Sequence, residues 1–313
     1  MPARKEASDQ IRDAVRPILK WAGGKRQLLP ALRRFYPARF ERYVEPFLGS
    51  GAVFLDCHNH GLLEGRAVRL SDINADVIGC YGMVRDHVTV VVESLAVLEK
   101  EHRKSEGDRF YYEVRDGRFN RLREGLLPGD VAAGYTPELA AMLIYLNRTG
   151  YNGLFRLNSR GGFNVPAGRY GNVTICDPAN LCRLSAALNR PGLQLTVSPF
   201  EEALAPCGAG DFVYLDPPYA PVSRTAQFTS YTAGGFGPQA QQRLQRQVIQ
   251  LAERGAWVLL SNSVAPEIGR LYATHDGARS AGLRARTVPA RRAINSQPAR
   301  RGAVREYLIT NVR

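Results

Sequence analysis

The feature that most constrains the fold is the segment Phe212-Val213-Tyr214-Leu215 followed at once by Asp216-Pro217-Pro218-Tyr219. Four consecutive apolar or aromatic residues, with no polar alternation, read as a strand buried on both faces, as in parallel sheets sandwiched between helices. Two prolines then end the strand, because they fix the backbone and remove two N–H donors. Their carbonyls stay free to accept, beside an ionisable carboxylate and an aromatic ring. A carboxylate next to a carbonyl can hold both protons of an amino group, and the Tyr219 ring can stack on the face of a base. A plain strand-ending turn with a buried tyrosine would use the same residues, but the apolar strand directly before Asp216 argues against it.

Similar strands recur. Tyr43-Val44 leads into Glu45-Pro46-Phe47-Leu48-Gly49-Ser50-Gly51, and a helical stretch then returns to a short strand ending in Leu70-Ser71-Asp72. That is a β-α-β rhythm. Gly49 and Gly51 would allow a ligand close to the backbone, and Asp72 lies about 20 residues further on, where an acidic strand end can bind ribose hydroxyls. Position 54 is Phe54, so the third small residue of a dinucleotide fingerprint is absent. The glycines alone would also suit a plain tight turn; with the acidic strand end the pair favours an adenosine-type ligand, and nothing in it points to a pyrophosphate. Lys20-Trp21-Ala22-Gly23-Gly24-Lys25 lacks phosphate-loop spacing because Arg26 follows Lys25. Later, Ala240–Arg254 reads as a helix, and Trp257–Leu260 and Val304–Thr310 as strands.

Between these halves the texture changes. From Asn74 to Leu146 apolar residues fall at helical spacing, and residues 147–172 are dense in Gly, Asn, Arg and aromatics, which predicts loop and hairpin exposed to a partner. Composition adds direction here. The chain has 313 residues and a formal net charge of +13, which suits a polyanionic partner, nucleic acid ahead of a membrane surface. No apolar run is long enough to span a membrane, and the charged N-terminus lacks a signal-peptide core. The five cysteines form no CxxC and have no histidines at ligand spacing, so reduced thiols and no metal are expected. Pro206-Cys207 is the one hint of a ring-attacking thiolate, but it sits in a Gly-rich loop before the proline-rich segment and reads as structural.

The ordered set of KWAGGK, EPFLGSG, LSDIN, the 147–170 segment and DPPYAPVSRTAQFTSY resembles the Dam family of DNA adenine-N6 methyltransferases, from about Ile18 to Thr310. The resemblance implies an α/β, Rossmann-like S-adenosylmethionine-dependent methyltransferase fold, into which a mostly helical target-recognition domain and a DNA-reading β-hairpin are inserted. Met1 to about Val15 reads as a solvated tail or a poorly packed first turn and has no firm counterpart in that family, whereas the resemblance implies a catalytic domain over 16–76 and 175–313 and the insertion over 77–174. Carried over residue by residue, Trp21, Lys25, Phe47, Gly49, Gly51, Asp72 and Asp216 would bind S-adenosylmethionine, with no metal. Asp216, Pro217, Pro218 and Tyr219 would form the catalytic loop around a flipped adenine. Lys20, Tyr151, Asn152, Leu154, Arg156 and Pro166 would meet DNA, with GATC as the implied target. The expected partner is double-stranded DNA, with a cognate restriction endonuclease as a candidate second one; a cytoplasmic, nucleoid-associated monomer without membrane contact is expected. Where many relatives carry Asp-Phe near the cofactor adenine, this chain has Ser198-Pro199-Phe200-Glu201. Two other readings compete: an amino-methyltransferase acting on cytosine or RNA, and a DNA-binding module without catalysis.

Overall fold

The computed structural model describes residues 14–21, 24–127, 129–220, 236–291 and 303–313. Met1–Asp13, Ala22, Gly23 and the continuation of the proline-rich segment from Pro221 to Tyr231 lie outside the described residues.

Seven strands form one sheet: β1 (Arg42–Glu45), β2 (Ala67–Asp72), β3 (Leu193–Val197), β4 (Asp211–Leu215), β5 (Trp257–Ser263), β6 (Arg284–Arg291) and β7 (Ala303–Thr310). Their spatial order is β3-β2-β1-β4-β5-β7-β6. Neighbours from β3 to β5 pair parallel, and β7 runs antiparallel to both β5 and β6. This is the Rossmann-like methyltransferase arrangement that the motif order implies. The chain leaves β1 in one direction and β4 in the other, so the crevice of an open α/β sheet opens at the C-terminal ends of those two strands.

The apolar run of β4 is explained by its neighbours. Phe212 and Tyr214 face one core, with Tyr43, Val68 and Leu308, while Val213 and Leu215 face the other, with Val44, Leu260 and Ile309. Helix α1 (Ala52–Asn59) packs Val53, Phe54 and Leu55 into the first core. The insertion helices α2 (Ala75–Asp86), α3 (Val88–Lys104) and α4 (Pro137–Thr149) extend that same core, and α5 (Pro178–Leu188) closes it. Three of these helices start at side-chain caps: Asn74, Thr136 and Asp177 each accept a backbone N–H of the first turn, and proline opens α4 and α5. Helix α6 (Pro238–Glu253) covers the other face through Leu244, Val248 and Leu251.

Several expectations are corrected. Where a solvated tail or a poorly packed first turn to about Val15 is expected, Val15 is buried, and its N–H and C=O both bond the Asn59 side-chain amide. The hairpin begins at Gly150; residues 147–149 are the last turn of α4, where Thr149 Oγ donates to the Tyr145 carbonyl. Its two arms meet at isolated antiparallel bridges, Gly150 with Ala167 and Leu157 with Phe163. Strands β3 and β6 have no counterpart in the sequence reading. Both lie toward the sheet edges, where half-exposed LQLTV and the Arg-rich, proline-containing RARTVPAR lose the apolar signature of a central strand.

Candidate active site

The glycine loop, Asp72 and the proline-rich segment lie at the C-terminal ends of β1, β2 and β4. Lys25, only 4% exposed, donates from Nζ to Asp216 Oδ1 at 2.8 Å. Ser261 Oγ donates to the same oxygen at 3.0 Å. Among the described residues Oδ2 of Asp216 and the carbonyl of Pro217 accept no hydrogen bond. Burial raises the Asp216 pKa, against the opposing pull of the Lys25 charge and the two hydrogen bonds. Lys25 Nζ also lies 4.6 Å from the centroid of the Tyr219 ring. The Tyr219 hydroxyl donates to Glu306 Oε2 at 2.6 Å, and burial holds its pKa far above the usual value. Lys25, expected at the cofactor, is therefore bonded to the carboxylate of the catalytic loop.

The glycine loop after β1 is built differently from the simplest expectation. A side chain at Gly49, whose φ is +46°, would meet the Trp21 indole at 2.8 Å. Gly49 thus makes room for Trp21, and Trp21 in turn stacks on Phe155 of the hairpin with centroids 6.3 Å apart. Asp72 accepts the N–H groups of Gly49 and Asn74, both at 2.9 Å, one on each oxygen. Burial raises its pKa, and these backbone bonds oppose the rise. Phe47 stacks on Phe200 at 5.6 Å and meets Phe236 edge-on at 5.8 Å.

Two observations test whether this chain fits S-adenosylmethionine. Each Asp72 oxygen spends one lone pair on a backbone N–H and keeps capacity for a ribose hydroxyl. The Tyr81 hydroxyl is buried with no hydrogen-bond partner among the described residues, 3.7 Å from where a Gly51 Cβ would stand. The residues fit the cofactor. No group of metal-ligating side chains occurs among the described residues, and no helix there is long and apolar enough to cross a membrane.

The candidate DNA-reading residues surround one end of α4. Lys20 is drawn under the hairpin: its Cβ would be 2.3 Å from a side chain at Gly153, and its Nζ donates to the Arg148 carbonyl at 2.8 Å. Nζ also stands 4.0 Å above the Tyr170 ring, and burial, helped by Arg148, lowers its pKa. Tyr151 is 42% exposed, Asn152 has the left-handed φ of 54°, and Leu154 is half-buried. The exposed Pro166 accepts the Tyr151 N–H at 2.8 Å. Arg156 is exposed and donates from Nε to Asn164 Oδ1 at 2.7 Å and from Nη2 to the Asn164 carbonyl at 3.2 Å. The hairpin's backbone is gripped from below: Asn120 bonds both the N–H and the C=O of Phe163, and Tyr111 and Arg115 both donate to the Val165 carbonyl.

Sequence reasoning missed Ser261, Glu306, Gln241, Asn262, Phe236 and Tyr81, and gave no role to Phe200 and Glu45, which stand in the quoted motifs. Glu45 is buried, accepts Tyr43 Oη at 2.7 Å and Phe54 N at 3.0 Å, and burial pushes its pKa up to about 8. The polar run Ser261-Asn262-Ser263, which prolongs the apolar strand β5, is the one signal that could have found any of them. Cys207 is buried, with its thiol pKa pushed up to about 11 by burial, the opposite of an activated nucleophile.

Residues 21–284 match the family described as D12 class N6 adenine-specific DNA methyltransferase. The chain is 37% identical over 307 residues to Type II methyltransferase M.MjaIII of Methanocaldococcus jannaschii, covering 95% of this chain and 99% of the relative. It is 35% identical over 301 residues to Type II methyltransferase M1.LlaDCHI of Lactococcus lactis subsp. cremoris, covering 95% of each. To the DNA adenine methylase of Escherichia coli (strain K12) it is 35% identical over 247 residues, 79% of this chain and 80% of that one.

Proposed function

The chain belongs to the D12 class of N6 adenine-specific DNA methyltransferases, and on that premise we propose that it methylates an adenine extruded from duplex DNA, in GATC. As an adenine-specific DNA methyltransferase it uses S-adenosylmethionine and acts on DNA. The finer reading rests on one observation above all: two acceptors next to Tyr219 in the chain, Asp216 Oδ2 and the Pro217 carbonyl, are unspent among the described residues.

The exocyclic nitrogen of adenine is a poor nucleophile because its lone pair is delocalised into the ring. An acceptor for each amino proton returns that lone pair to nitrogen as the new bond forms, the kind of preorganised electrostatic help that costs no reorganisation during reaction. Lys25 and Ser261 spend Oδ1 and so orient Asp216 with Oδ2 toward the base. The Lys25 charge also opposes the rise that burial imposes on the Asp216 pKa. Tyr219, fixed at its hydroxyl by Glu306, offers its face to the base. S-adenosylmethionine, when bound, supplies an already activated methyl group. Trp21, Lys25, Phe47, Gly49, Gly51, Asp72 and Asp216 would hold it, with Asp72 on the ribose.

A base inside a duplex cannot reach this crevice, so the target must leave the stack. Residues 77–174 serve as the target-recognition part, with Lys20, Tyr151, Asn152, Leu154, Arg156 and Pro166 at the DNA. Residues 16–76 and 175–313 make up the catalytic part, which reaches back to Val15. Two relatives carry Type II names, in keeping with a cognate restriction endonuclease as a second partner and with a cytoplasmic setting. The deciding experiment treats duplex DNA with labelled cofactor and the full chain, then identifies the modified nucleoside and its flanks. N6-methyladenine within GATC is expected. N6-methyladenine in another sequence overturns GATC alone, and N4-methylcytosine overturns the reading.

A further inference from the structure

We propose that Gln241, Asn262 and Ser263 are positioning residues that clamp the catalytic loop from behind, engage its Pro218 and Ala220 carbonyls and so hold the Pro217 carbonyl in place for the target amino group. The inference rests on the reading of Asp216 and Pro217 given above.

Consecutive prolines cannot secure themselves through N–H donors, so a Pro-Pro loop has to be held by its carbonyls and by the residue that follows. That is the pattern here. Gln241 Nε2 donates to the Pro218 carbonyl at 2.9 Å. Asn262 Nδ2 donates to Gln241 Oε1 at 3.1 Å, and Asn262 Oδ1 accepts the N–H groups of Ala220 at 3.3 Å and Ser263 at 2.8 Å. Ser263 Oγ donates to the Ala220 carbonyl at 2.7 Å. The Pro218 carbonyl and both backbone groups of Ala220 are thus occupied, while the Pro217 carbonyl accepts nothing among the described residues.

The residue types are informative. Gln241 is 1% exposed and Asn262 0%, and Gln241 precedes Leu244, Val248 and Leu251 on the inner side of α6, where an apolar residue would pack. Burying an amide costs free energy unless each polar atom finds a partner. These two amides find partners in each other and in the catalytic loop. An aliphatic side chain at 241 would serve packing equally well, but it would leave the Pro218 carbonyl without a donor to fix its direction. Neither amide touches the reacting atoms; both act through the loop.

The test is Gln241→Glu, nearly isosteric but with a carboxylate that cannot donate to Pro218, assayed with the full chain on duplex DNA. The single-turnover rate at saturating cofactor and DNA should fall about a hundredfold, the scale of loss for a misplaced reacting group. KM for DNA and the cofactor affinity should stay near those of the unaltered chain. Calorimetric cofactor binding and a thermal melt report folding. Should Gln241→Glu fail to fold, Ser263→Ala takes its place as the deciding variant. It frees the Ala220 carbonyl and the weakly bonded Ala265 N–H, and should show a smaller fall in rate with the same unchanged KM. Normal turnover in a folded variant overturns the clamp alone. An unaltered chain that forms no N6-methyladenine overturns the functional reading, and the clamp with it.

Discussion

The catalytic loop and the hairpin after α4 are held in opposite ways. The loop is gripped by side chains at its own chemical groups: Asp216 by Lys25 and Ser261, Pro218 by Gln241, Tyr219 by Glu306. The hairpin is gripped by its backbone, at Gly150, Phe163 and Val165, and its outward side chains Tyr151 and Arg156 are exposed. Chemistry that must be identical in every turnover is built from buried, mutually satisfied polar groups. Reading of a sequence is left to side chains on a fixed frame, where a substitution can change the reading without loosening the frame.

The largest effect should come at the loop. Asp216→Ala removes the carboxylate acceptor and leaves Lys25 without its carboxylate, so methyl transfer should fall by at least about a thousandfold, the scale of losing a preorganised electrostatic group. Duplex binding should persist, because phosphate contacts supply most of the affinity. Near-normal single-turnover rates in this variant would break the contrast at its firmest point.

Glu45 sharpens the fixed side. Its folded pKa of about 8 stands above the ordinary value of 4.5, so the folded chain holds a proton that the unfolded chain gives up. The stabilisation is complete below about pH 4.5 and is lost as pH rises through about 8, at most a few kcal/mol. Asp72 and Asp216, whose pKa values are also raised by burial, add slope of the same sign. Denaturation at a series of pH values should show stability falling across this window, and less steeply in Glu45→Gln. An identical slope in the variant would mean that Glu45 stays ionised in the folded chain.

Asp72→Ala should weaken S-adenosylmethionine by roughly ten- to a hundredfold, the loss of hydrogen bonds to a charged group. Its Gly49 and Asn74 contacts predict a second consequence: the glycine loop loses its tie to β2 as well. Calorimetry with the cofactor and with DNA checks both, since a ribose contact and a loop tie each predict weaker cofactor binding with DNA binding retained. Unchanged cofactor affinity refutes both.

Legibility in the sequence follows the same division. Central strands are visible because burial on both faces makes them uniformly apolar, as in β4, whereas the edge strands β3 and β6 are not. Asp216 is visible because it follows such a strand, and Asp72 because it ends a short strand about 20 residues after the glycine pair. Ser261, Gln241, Asn262 and Glu306 are not, because they come from elements that are distant in the chain and meet the loop only after the sheet forms. No local spacing connects Gln241 to Pro218 or Glu306 to Tyr219. The wider tie of Trp21, between Gly49 and Phe155, is equally invisible: a tryptophan beside glycines reads as a ligand cover until the fold brings both partners to it.

Arg156 tests the other side of the contrast with the smallest total effect. Its Nε and Nη2 are directed at Asn164, which aims the guanidinium and leaves Nη1 free of contacts among the described residues. A guanine edge needs two parallel donors, so base contact requires Arg156 to exchange at least one Asn164 bond for one to DNA. A phosphate needs no such exchange. The two roles separate in the pattern of loss, since losing a phosphate contact weakens every sequence alike, whereas losing a base contact relaxes choice at one position. Arg156→Ala should therefore cost about 1–3 kcal/mol of discrimination at a single guanine, with little change in rate on the unaltered site once DNA is saturating. Asn164→Ala should lower the same discrimination less, because the guanidinium keeps its reach but loses its aim. Methylation of GATC and of singly substituted sites by both variants decides it. Uniform loss across all sites would assign Arg156 to the phosphates and would move base reading elsewhere on the hairpin.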